Sequence, residues 1–451
     1  MTLHDQLFGA PDVDACFDDA AHVQAMLDVE AALAEAQAAA GVIPADAADA
    51  IRAMATVGRY DLAALATAAA EAGNAVIPLV AALTARVAAS DEGAARYVHW
   101  GATSQDVLDT ALALQLRAAR PRILDSLDRA AQVALDHARR YATTPMAGRT
   151  LLRQSTPITF GLVAAGWADA LVRRKERLAA AFHAAAVLQF GGASGTLAAQ
   201  GARALEVAEA LGRRLRLPVP PLPWHAHRDR LADLAAALGA AAGTLGKTGR
   251  DLALLGQTEV GEIRETAAPG SGGSSAMPHK RNPLGAAIAI AAATRAPGLV
   301  ATMLAAMPQE HQRGLGGWHA EWNTLPELVR LTAGSANAVA DALEGIEADP
   351  ERMAENLALT DGLISSEAVT MALAERVGRE AAHALVGAAC RRADAEGRPL
   401  GAVLADDAGV KALLSAGEIA ALVDPARGGG AAAELAERTV RRLRRDSPRD
   451  G

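Results

Sequence analysis

Apolar positions recur at the spacing of an α-helix through most of the chain. In the first part, residues 23–33 place Val, Met, Leu and Ala on one side of a helix that we expect to end near Gly41. The same spacing predicts long helices at residues 107–141, from 155–157 to 190, and at 228–256, 284–307 and 326–343. Three of these exceed twice the average helix length of about 11–12 residues, which is typical of an elongated bundle.

Prolines set two of the expected helix boundaries. Pro121 falls inside the first long helix, where we expect a kink or a break because proline lacks the backbone N–H. Ser155, Thr156 and Pro157 form an N-cap candidate followed by proline in the first turn, which predicts that the next helix begins there.

Composition supports an all-α protein and excludes several classes. Of the 451 residues, 51% are hydrophobic but only 3% are aromatic, and alanine-rich stretches are frequent. Alanine is the strongest helix former. A chain this apolar can bury a large core and is not disordered, whereas an all-β sandwich needs more aromatic and β-branched residues.

Net charge and cysteine content indicate which binding partners and which cellular compartment suit the protein. The net charge of −8 argues against a general binder of nucleic acid or of anionic membranes. Two cysteines suit a reducing cytosol, and Asp5 stands where a secretory signal would be basic. The most apolar stretch, residues 284–294, stops at Arg295 and is too short to span a bilayer. We therefore expect a soluble, cytoplasmic protein.

Two patterns resemble a phosphate-binding loop and a metal site, but the spacing of their residues does not match either site. Residues 246–248 read GKT, yet the glycine that a phosphate-binding loop needs five residues earlier is Ala241. His225 and His227 are two residues apart and would point to different faces of a helix, so we do not expect them to bind a metal.

Three polar segments stand out at the edges of long helices: residues 99–106, 148–157 and 270–283. The third begins with an almost continuous Gly/Ser run, which predicts a mobile loop able to close over a ligand and exclude water. Lys280 follows that run and is one of only four lysines, whereas Lys and Arg together number 44. A flexible linker between helices is the alternative interpretation of this composition.

A resemblance to a known family strengthens the functional interpretation. Residues 273–283, GSSAMPHKRNP, resemble the GSSxMPxKxNP signature of the fumarase/aspartase superfamily, and residues 99–106 and 149–157 resemble its other two shared regions. Because all three occur in the family order, the resemblance spans nearly the whole chain. It implies a long central helical bundle at residues 107–345, flanked by smaller helical domains at 1–106 and 346–451.

Within the superfamily, the likeness is greatest to its lactone-forming cycloisomerases. Residues 7–44, 148–150, 223–230 and 314–322 carry it. Adenylosuccinate lyase shares the AMPxKRNP form of the loop, so a fumarate-releasing lyase is the alternative, and a catalytically silent helical scaffold is a third. Leu151 stands where the lyases have a His that serves as general acid, and this departure favours the cycloisomerases.

The resemblance implies closure of 3-carboxy-cis,cis-muconate to a muconolactone, a step of the protocatechuate branch of the β-ketoadipate pathway. One substrate carboxylate adds to a double bond and pushes charge onto a neighbouring carboxylate. Fixed hydrogen-bond donors in a water-poor pocket must stabilise that aci-carboxylate. Adenylosuccinate-type chemistry would instead release fumarate by β-elimination.

Residue roles carry over from the superfamily motifs. Ser274 corresponds to the loop serine that transfers the proton, and we expect loop amides and Lys280 to favour its ionised form. Lys280 and Asn282 are expected to hold the aci-carboxylate. Thr103, Ser104 and Thr150 are expected to bind the other carboxylate oxygens. Arg149, Arg153 and Arg313 are the candidates for binding the remaining negative charge, because a guanidinium suits bidentate carboxylate binding.

His99 is the candidate for a second acid or base, because the pKa of a histidine can lie near neutral pH. An orienting or structural role for His99 is the alternative. The resemblance further implies a homotetramer in which each site draws on three subunits. The substrate is expected to be a small polycarboxylate, with no metal, cofactor, nucleic acid or membrane involved.

Overall fold

The structure, a computed structural model, describes residues 3–265 and 272–446. Helices dominate, which confirms the all-α class. The α-helices in chain order are α1 (Leu3–Phe8), α2 (Pro11–Asp14), α3 (Asp19–Ala39), α4 (Ala45–Met54), α5 (Leu62–Ala72), α6 (Val76–Ala88), α7 (Ser104–Arg140), α8 (Phe160–Ala185), α9 (Ala204–Leu215), α10 (Asp229–Leu255), α11 (Leu284–Ala305), α12 (Gly317–Gly345), α13 (Pro350–Ala358), α14 (Ser366–Val377), α15 (Arg379–Glu396), α16 (Leu400–Asp406), α17 (Ala408–Lys411), α18 (Ala416–Val423) and α19 (Ala432–Asp446).

Short elements connect these helices within the described residues. The strands are β1 (Pro145–Thr150), β2 (Arg153–Thr159), β3 (Ile263–Glu265) and β4 (Ile346–Ala348), and they form two antiparallel pairs, β1–β2 and β3–β4. Short 3₁₀ segments lie at Val57–Arg59, Ala94–Tyr97, Ala198–Arg203, Leu363–Ser365 and Pro425–Arg427, and the third of them is kinked at Gly201.

Prolines do not end the long helices in the way we expected. A kink or a break was expected at Pro121; the break is wrong, because the 37-residue helix α7 contains Pro121 and continues to Arg140. Likewise, α12 begins at Gly317 and continues through Pro326, where we expected it to begin. Tertiary packing outweighs the local cost of proline in both helices.

The predicted helix start at Ser155–Pro157 is also wrong. These residues belong to β2, whose Pro157 pairs with Ala147 of β1. The helix begins at Phe160, and its cap is Thr159, whose Oγ1 accepts a hydrogen bond of 3.1 Å from the backbone N–H of Leu162. A Ser-Thr-Pro sequence is typical of a helix N-cap, but here these residues lie in β2, which pairs with β1.

The chain divides into two compact units, each made of three segments. Unit 1 comprises Met1–Leu127, Arg173–Gly246 and Ile288–Asn337. Its apolar core draws on α3, α4, α6, α9 and the first turns of α7, with Met26, Leu27 and Leu83 fully buried. Burial of such side chains stabilises the unit by about 1.5–3 kcal/mol each.

Unit 2 comprises Asp128–Val172, Lys247–Ala287 and Ala338–Gly451. Both strand pairs lie in it, and α14, α15, α16 and α18 enclose a second apolar core around Leu373, Leu400 and Leu404. The division of the chain into domains at 1–106, 107–345 and 346–451 stays a prediction.

Helix α11 is unusually apolar for its degree of exposure. Among the described residues, α11 is the only unbroken helix that is long and apolar enough to cross a membrane. The bent pair of residues 350–358 and 363–377 meets the same length and composition criteria only when its two helices are counted as one span. Its buried stripe is narrow, whereas Leu304 on another face is exposed. Arg295 of α11 pairs with Glu327 at 2.5 Å, and a guanidinium inside a bilayer would be costly.

Candidate active site

A strained turn in unit 1 presents His99. The backbone of His99 has a φ of 56°, and that of Gly101 has a φ of 69°. The side-chain amides of Gln37 and Gln200 both donate to the carbonyl of Trp100, at 2.6 and 3.0 Å. A left-handed backbone at a non-glycine residue persists only where its surroundings enforce it, and this glutamine pair does so here.

The His99 ring is fixed by a buried carboxylate. Its Nδ1 lies 2.6 Å from Oε1 of Glu30, whose side chain is almost fully buried on α3. Burial alone would lower the pKa of His99, but the charge and hydrogen bond of Glu30, together with the charge of Asp106, outweigh burial and raise that pKa. The contact with Glu30 therefore favours the imidazolium form more than in a free histidine, and Nε2 has no hydrogen bond among the described residues.

Asp106 organises the start of α7, where Thr103 and Ser104 lie. Its carboxylate accepts hydrogen bonds from the backbone N–H groups of Thr103 (3.1 Å), Gly191 (2.8 Å) and Gly192 (2.9 Å). It also meets Nε2 of the buried His225 at 2.8 Å. Thr103 and Ser104 thus stand at the N-terminus of a 37-residue helix, where the helix dipole favours a carboxylate ligand.

Arg313 reaches the same first turn of α7 within unit 1. Its Nε donates to Oε1 of Gln105 at 2.9 Å, and Nη2 donates to the carbonyl of Ala193 at 3.2 Å. Because Gln105 follows Ser104 directly, this bond ties Arg313 to the turn of α7 that begins with two of the predicted carboxylate ligands.

In unit 2, the β1–β2 hairpin carries Arg149, Thr150 and Arg153. Arg149 forms a bidentate ion pair with the fully buried Glu262, at 2.7 and 2.8 Å. Thr150 and Arg153 pair across the end of the hairpin and are exposed. The pair with Glu262 anchors the hairpin in this structure, so substrate binding by Arg149 stays a prediction.

The hairpin turn is formed by two exposed leucines. Leu151 and Leu152 have φ values of 50° and 63°, and their exposed fractions are 97% and 78%. Positive φ at both turn positions is typical of a type I′ turn, which favours Asn-Gly. Two leucines there are strained and solvated.

The signature loop of unit 2 surrounds Ser274 with amide donors. The half-buried Ser274 Oγ accepts hydrogen bonds from the backbone N–H groups of Met277 (3.1 Å) and Ala276 (3.3 Å). Both donors stabilise negative charge on the oxygen and so favour the form that can take a proton. The loop interpretation of residues 266–271 lies outside the described residues.

Lys280 and Asn282 end the same loop with exposed side chains. The backbone N–H of Asn282 donates to the carbonyl of Gly272 at 2.8 Å, and its side-chain amide donates to the carbonyl of Gly273 at 3.4 Å. Gly272 has a φ of 66°, and a Cβ there would lie 2.5 Å from the Asn282 oxygen. The glycine is therefore required for this loop closure.

The predicted site residues fall into two groups. Unit 1 holds His99, Thr103, Ser104 and Arg313, and unit 2 holds Arg149, Thr150, Arg153, Ser274, Lys280 and Asn282.

Sequence analysis missed three buried polar partners in unit 1: Glu30, Gln105 and His225. Glu30 interrupts an apolar stretch of α3, and a charged residue at a core position is a signal that it has a partner. Nothing in the sequence names that partner, because His99 is 69 positions away. His225 was rejected as a metal ligand, and its contact with Asp106 gives it an orienting role instead.

Comparisons with known proteins show the family to which the chain belongs. The lyase family model matches residues 5–298, and that of the adenylosuccinate lyase C-terminus matches residues 362–439. A 3-carboxy-cis,cis-muconate cycloisomerase of Pseudomonas aeruginosa is 54% identical over 97% of this chain and 95% of its own. A nitrosuccinate lyase of Streptomyces davaonensis is 44% identical over 96% and 92% of the two chains.

A similar solved structure is that of the 3-carboxy-cis,cis-muconate lactonizing enzyme from Pseudomonas putida. It has a TM-score of 0.92 and 49% sequence identity, and the match covers 98% of this chain and 99% of that one. At this level of similarity the fold and the order of its elements are shared.

Proposed function

The chain belongs to the lyase family of the fumarase/aspartase superfamily, and we propose that within it the protein closes 3-carboxy-cis,cis-muconate to 4-carboxymuconolactone. The similarity to cycloisomerases over nearly the full length supports this substrate. The observation that carries the proposal is the Ser274 loop, in which two backbone N–H groups donate hydrogen bonds to Oγ. The reaction belongs to the protocatechuate branch of the β-ketoadipate pathway.

The chemistry balances without an added reagent other than a proton. A carboxylate oxygen attacks the double bond at the carbon β to another carboxylate and forms the C–O bond of the lactone. The displaced electron pair passes to that carboxylate as an aci-carboxylate, and a proton then forms the new C–H bond. The nucleophile and the acceptor belong to one molecule, so a high effective concentration lowers part of the barrier.

Residue roles carry over from the superfamily motifs. Ser274 delivers the proton to carbon, and Lys280 and Asn282 hold the aci-carboxylate. The N-terminus of α7, with Thr103 and Ser104, binds a further carboxylate. We assign Thr150 to the carboxylate oxygens, Arg149, Arg153 and Arg313 to the remaining negative charge, and His99 as second acid or base. We propose that no metal or cofactor takes part.

We also propose a cytoplasmic homotetramer. The apolar faces that α11 leaves exposed in a single chain, and the exposed leucine pair of the hairpin turn, suit burial against further copies. Cys16 and Cys390 are both unpaired, which suits a reducing compartment. Size-exclusion chromatography with light scattering tests the assembly, and a monomer at micromolar concentration contradicts it.

The test is an ultraviolet assay of purified protein with 3-carboxy-cis,cis-muconate. Lactonisation breaks the conjugated diene, so absorbance falls. Ser274→Ala is expected to lose about 10²–10³-fold in kcat, whereas Ser275→Ala, the neighbouring exposed serine, is expected to retain activity. An intact diene, with fumarate released from adenylosuccinate instead, would assign the protein to the lyases.

A further inference from the structure

Gln105 uses every polar atom of its side chain. It is 1% exposed on the first turn of α7, directly after Ser104. Its Nε2 donates to Oδ2 of Asp109 at 3.2 Å and to the carbonyl of His225 at 2.9 Å, while Oε1 accepts from Nε of Arg313 at 2.9 Å. The amide therefore links a predicted substrate ligand to groups deep in unit 1.

Behind Gln105 lies a cluster of buried charges formed by Asp109, Arg228 and Glu321. Arg228 binds Asp109 in bidentate fashion at 2.7 and 3.0 Å and Glu321 through three contacts of 2.6–3.1 Å, and its guanidinium stacks 4.8 Å from the Trp224 ring. Burial would lower the pKa of Arg228, but the two carboxylates outweigh burial and raise it. The cluster is thus held by a cation that stays charged.

The surroundings of Asp109 determine which way the Gln105 amide faces. Trp318 Nε1 (3.2 Å) and Gln189 Nε2 (3.3 Å) donate to the same carboxylate as Arg228 does. A carboxylate and a backbone carbonyl only accept, so the NH₂ group of Gln105 must face Asp109 and His225. The reverse orientation would set its oxygen against two acceptors, which is costly when buried. Oε1 is therefore directed at Arg313.

We propose that Gln105 is a positioning residue that sets the direction of the Arg313 guanidinium toward the substrate carboxylate. Gln105 holds Nε and the Ala193 carbonyl holds Nη2, which leaves Nη1 without a protein partner among the described residues. Because the guanidinium is planar, fixing Nε and Nη2 also fixes the direction of Nη1. A guanidinium that is already aligned binds a carboxylate more tightly than one that loses conformational freedom on binding. The inference rests on the proposed role of Arg313 in binding substrate.

A double-mutant cycle between Gln105→Met and Arg313→Gln tests this role. Methionine matches the length of glutamine but cannot accept from Arg313. Gln105→Met alone is expected to raise KM for 3-carboxy-cis,cis-muconate about tenfold with a smaller change in kcat, since one charge-assisted hydrogen bond is lost. In the Arg313→Gln background the same change is expected to leave KM within about twofold, because the residue through which Gln105 acts is gone.

Gln189→Met is the matched control. It removes another glutamine bonded to Asp109, but Gln189 has no bond to Arg313. Its KM is expected to stay within about twofold of the wild type. Equal effects of the two substitutions on KM, or additive effects in the cycle, would overturn the proposal and make Gln105 a merely structural residue.

Gln105→Asn serves as the second variant if the methionine variant does not fold. It keeps a buried amide that is one methylene too short to reach Arg313, and the same rise in KM is expected. A crystal structure of either variant gives a readout independent of turnover, since an unmoved Arg313 guanidinium would refute the positioning role. Wild-type protein that does not consume the diene would refute the proposed function, while the crystallographic comparison would still decide the role of Gln105.

Discussion

Nδ1 of His99, in a turn, lies 2.6 Å from Oε1 of Glu30, a carboxylate on helix α3, 69 positions earlier in the chain. The contact explains how a histidine in a strained, left-handed turn keeps one ring orientation. It also explains why the pKa of His99 is raised although most of the ring is buried. Neutralising Glu30 therefore separates the effect of burial from that of the charge.

Glu30→Gln is expected to lower the pKa of His99. The limb of the kcat/KM profile that reports His99 should then move to lower pH, and the ring titration followed by NMR should move with it. The stabilising contribution of the pair is full below the unfolded pKa of about 6.5 and is lost as pH rises through the higher folded pKa. The variant should therefore lose more stability at pH 5.5 than at pH 9.

Glu35→Gln is the control for this substitution. It removes a carboxylate from the same helix, but Glu35 pairs with Arg52 and Arg214 at a partly exposed position. The His99 titration is expected to stay where it is in the wild type. A pKa of His99 that Glu30→Gln leaves unchanged would show that the Glu30 charge does not control the ring.

Glu262→Gln is expected to destabilise unit 2. The substitution leaves Arg149 without its bidentate partner and alters the Asn356 contact at 2.9 Å, both at a fully buried position. We expect the free energy of unfolding to fall by about 2 kcal/mol, measured by urea denaturation. Glu259→Gln, an exposed neighbour, should stay within about 0.5 kcal/mol of the wild type. Equal losses in the two variants would contradict an anchoring role for the Arg149–Glu262 pair.

The sequence predicted the parts of the molecule that depend on local pattern. Helices α10 and α11 begin within one residue of the expected positions, because their apolar periodicity is continuous. Hairpin β1–β2 was missed, since Ser155, Thr156 and Pro157 suit a helix cap and only the paired strand shows otherwise. A strand is stabilised by its neighbour, so its local sequence underdetermines it.

The same limit applies to the candidate site. A contiguous motif identified the Ser274 loop, and its amides contact Oγ. The contribution expected of Lys280, and the catalytic role of Ser274, stay predictions. Glu30 and Gln105 were not found, because each acts through a residue far away in the chain. A buried charge or amide on an apolar helix signals that a partner exists but not which residue provides it.

Lactonisation should consume one proton for each diene lost. The three carboxylates of the substrate are ionised near pH 7.5, and the product keeps two of them beside a neutral lactone. Weakly buffered protein with a phenol-based indicator therefore reports proton uptake in step with the fall in absorbance. Ser274→Ala serves as the blank. Diene loss without proton uptake would contradict ring closure and indicate a different addition to the double bond.

The hairpin turn offers the sharpest test of the assembly. Replacing Leu151 by Asn and Leu152 by Gly gives the sequence that a type I′ turn favours and removes a left-handed backbone cost of about 1–2 kcal/mol per residue. The hairpin should therefore fold, with unchanged circular dichroism. If the exposed leucines contact another copy, kcat/KM should fall at least about tenfold and the tetramer should dissociate more readily.

Leu222→Asn is the control for that experiment, because Leu222 is a similarly exposed leucine outside the three shared regions. It is expected to leave both assembly and activity unchanged. Sedimentation velocity across a concentration series measures the dissociation, and the ultraviolet assay measures kcat/KM on the same samples. A turn variant that stays fully active and fully assembled would show that the strained leucines make no contact with a second copy.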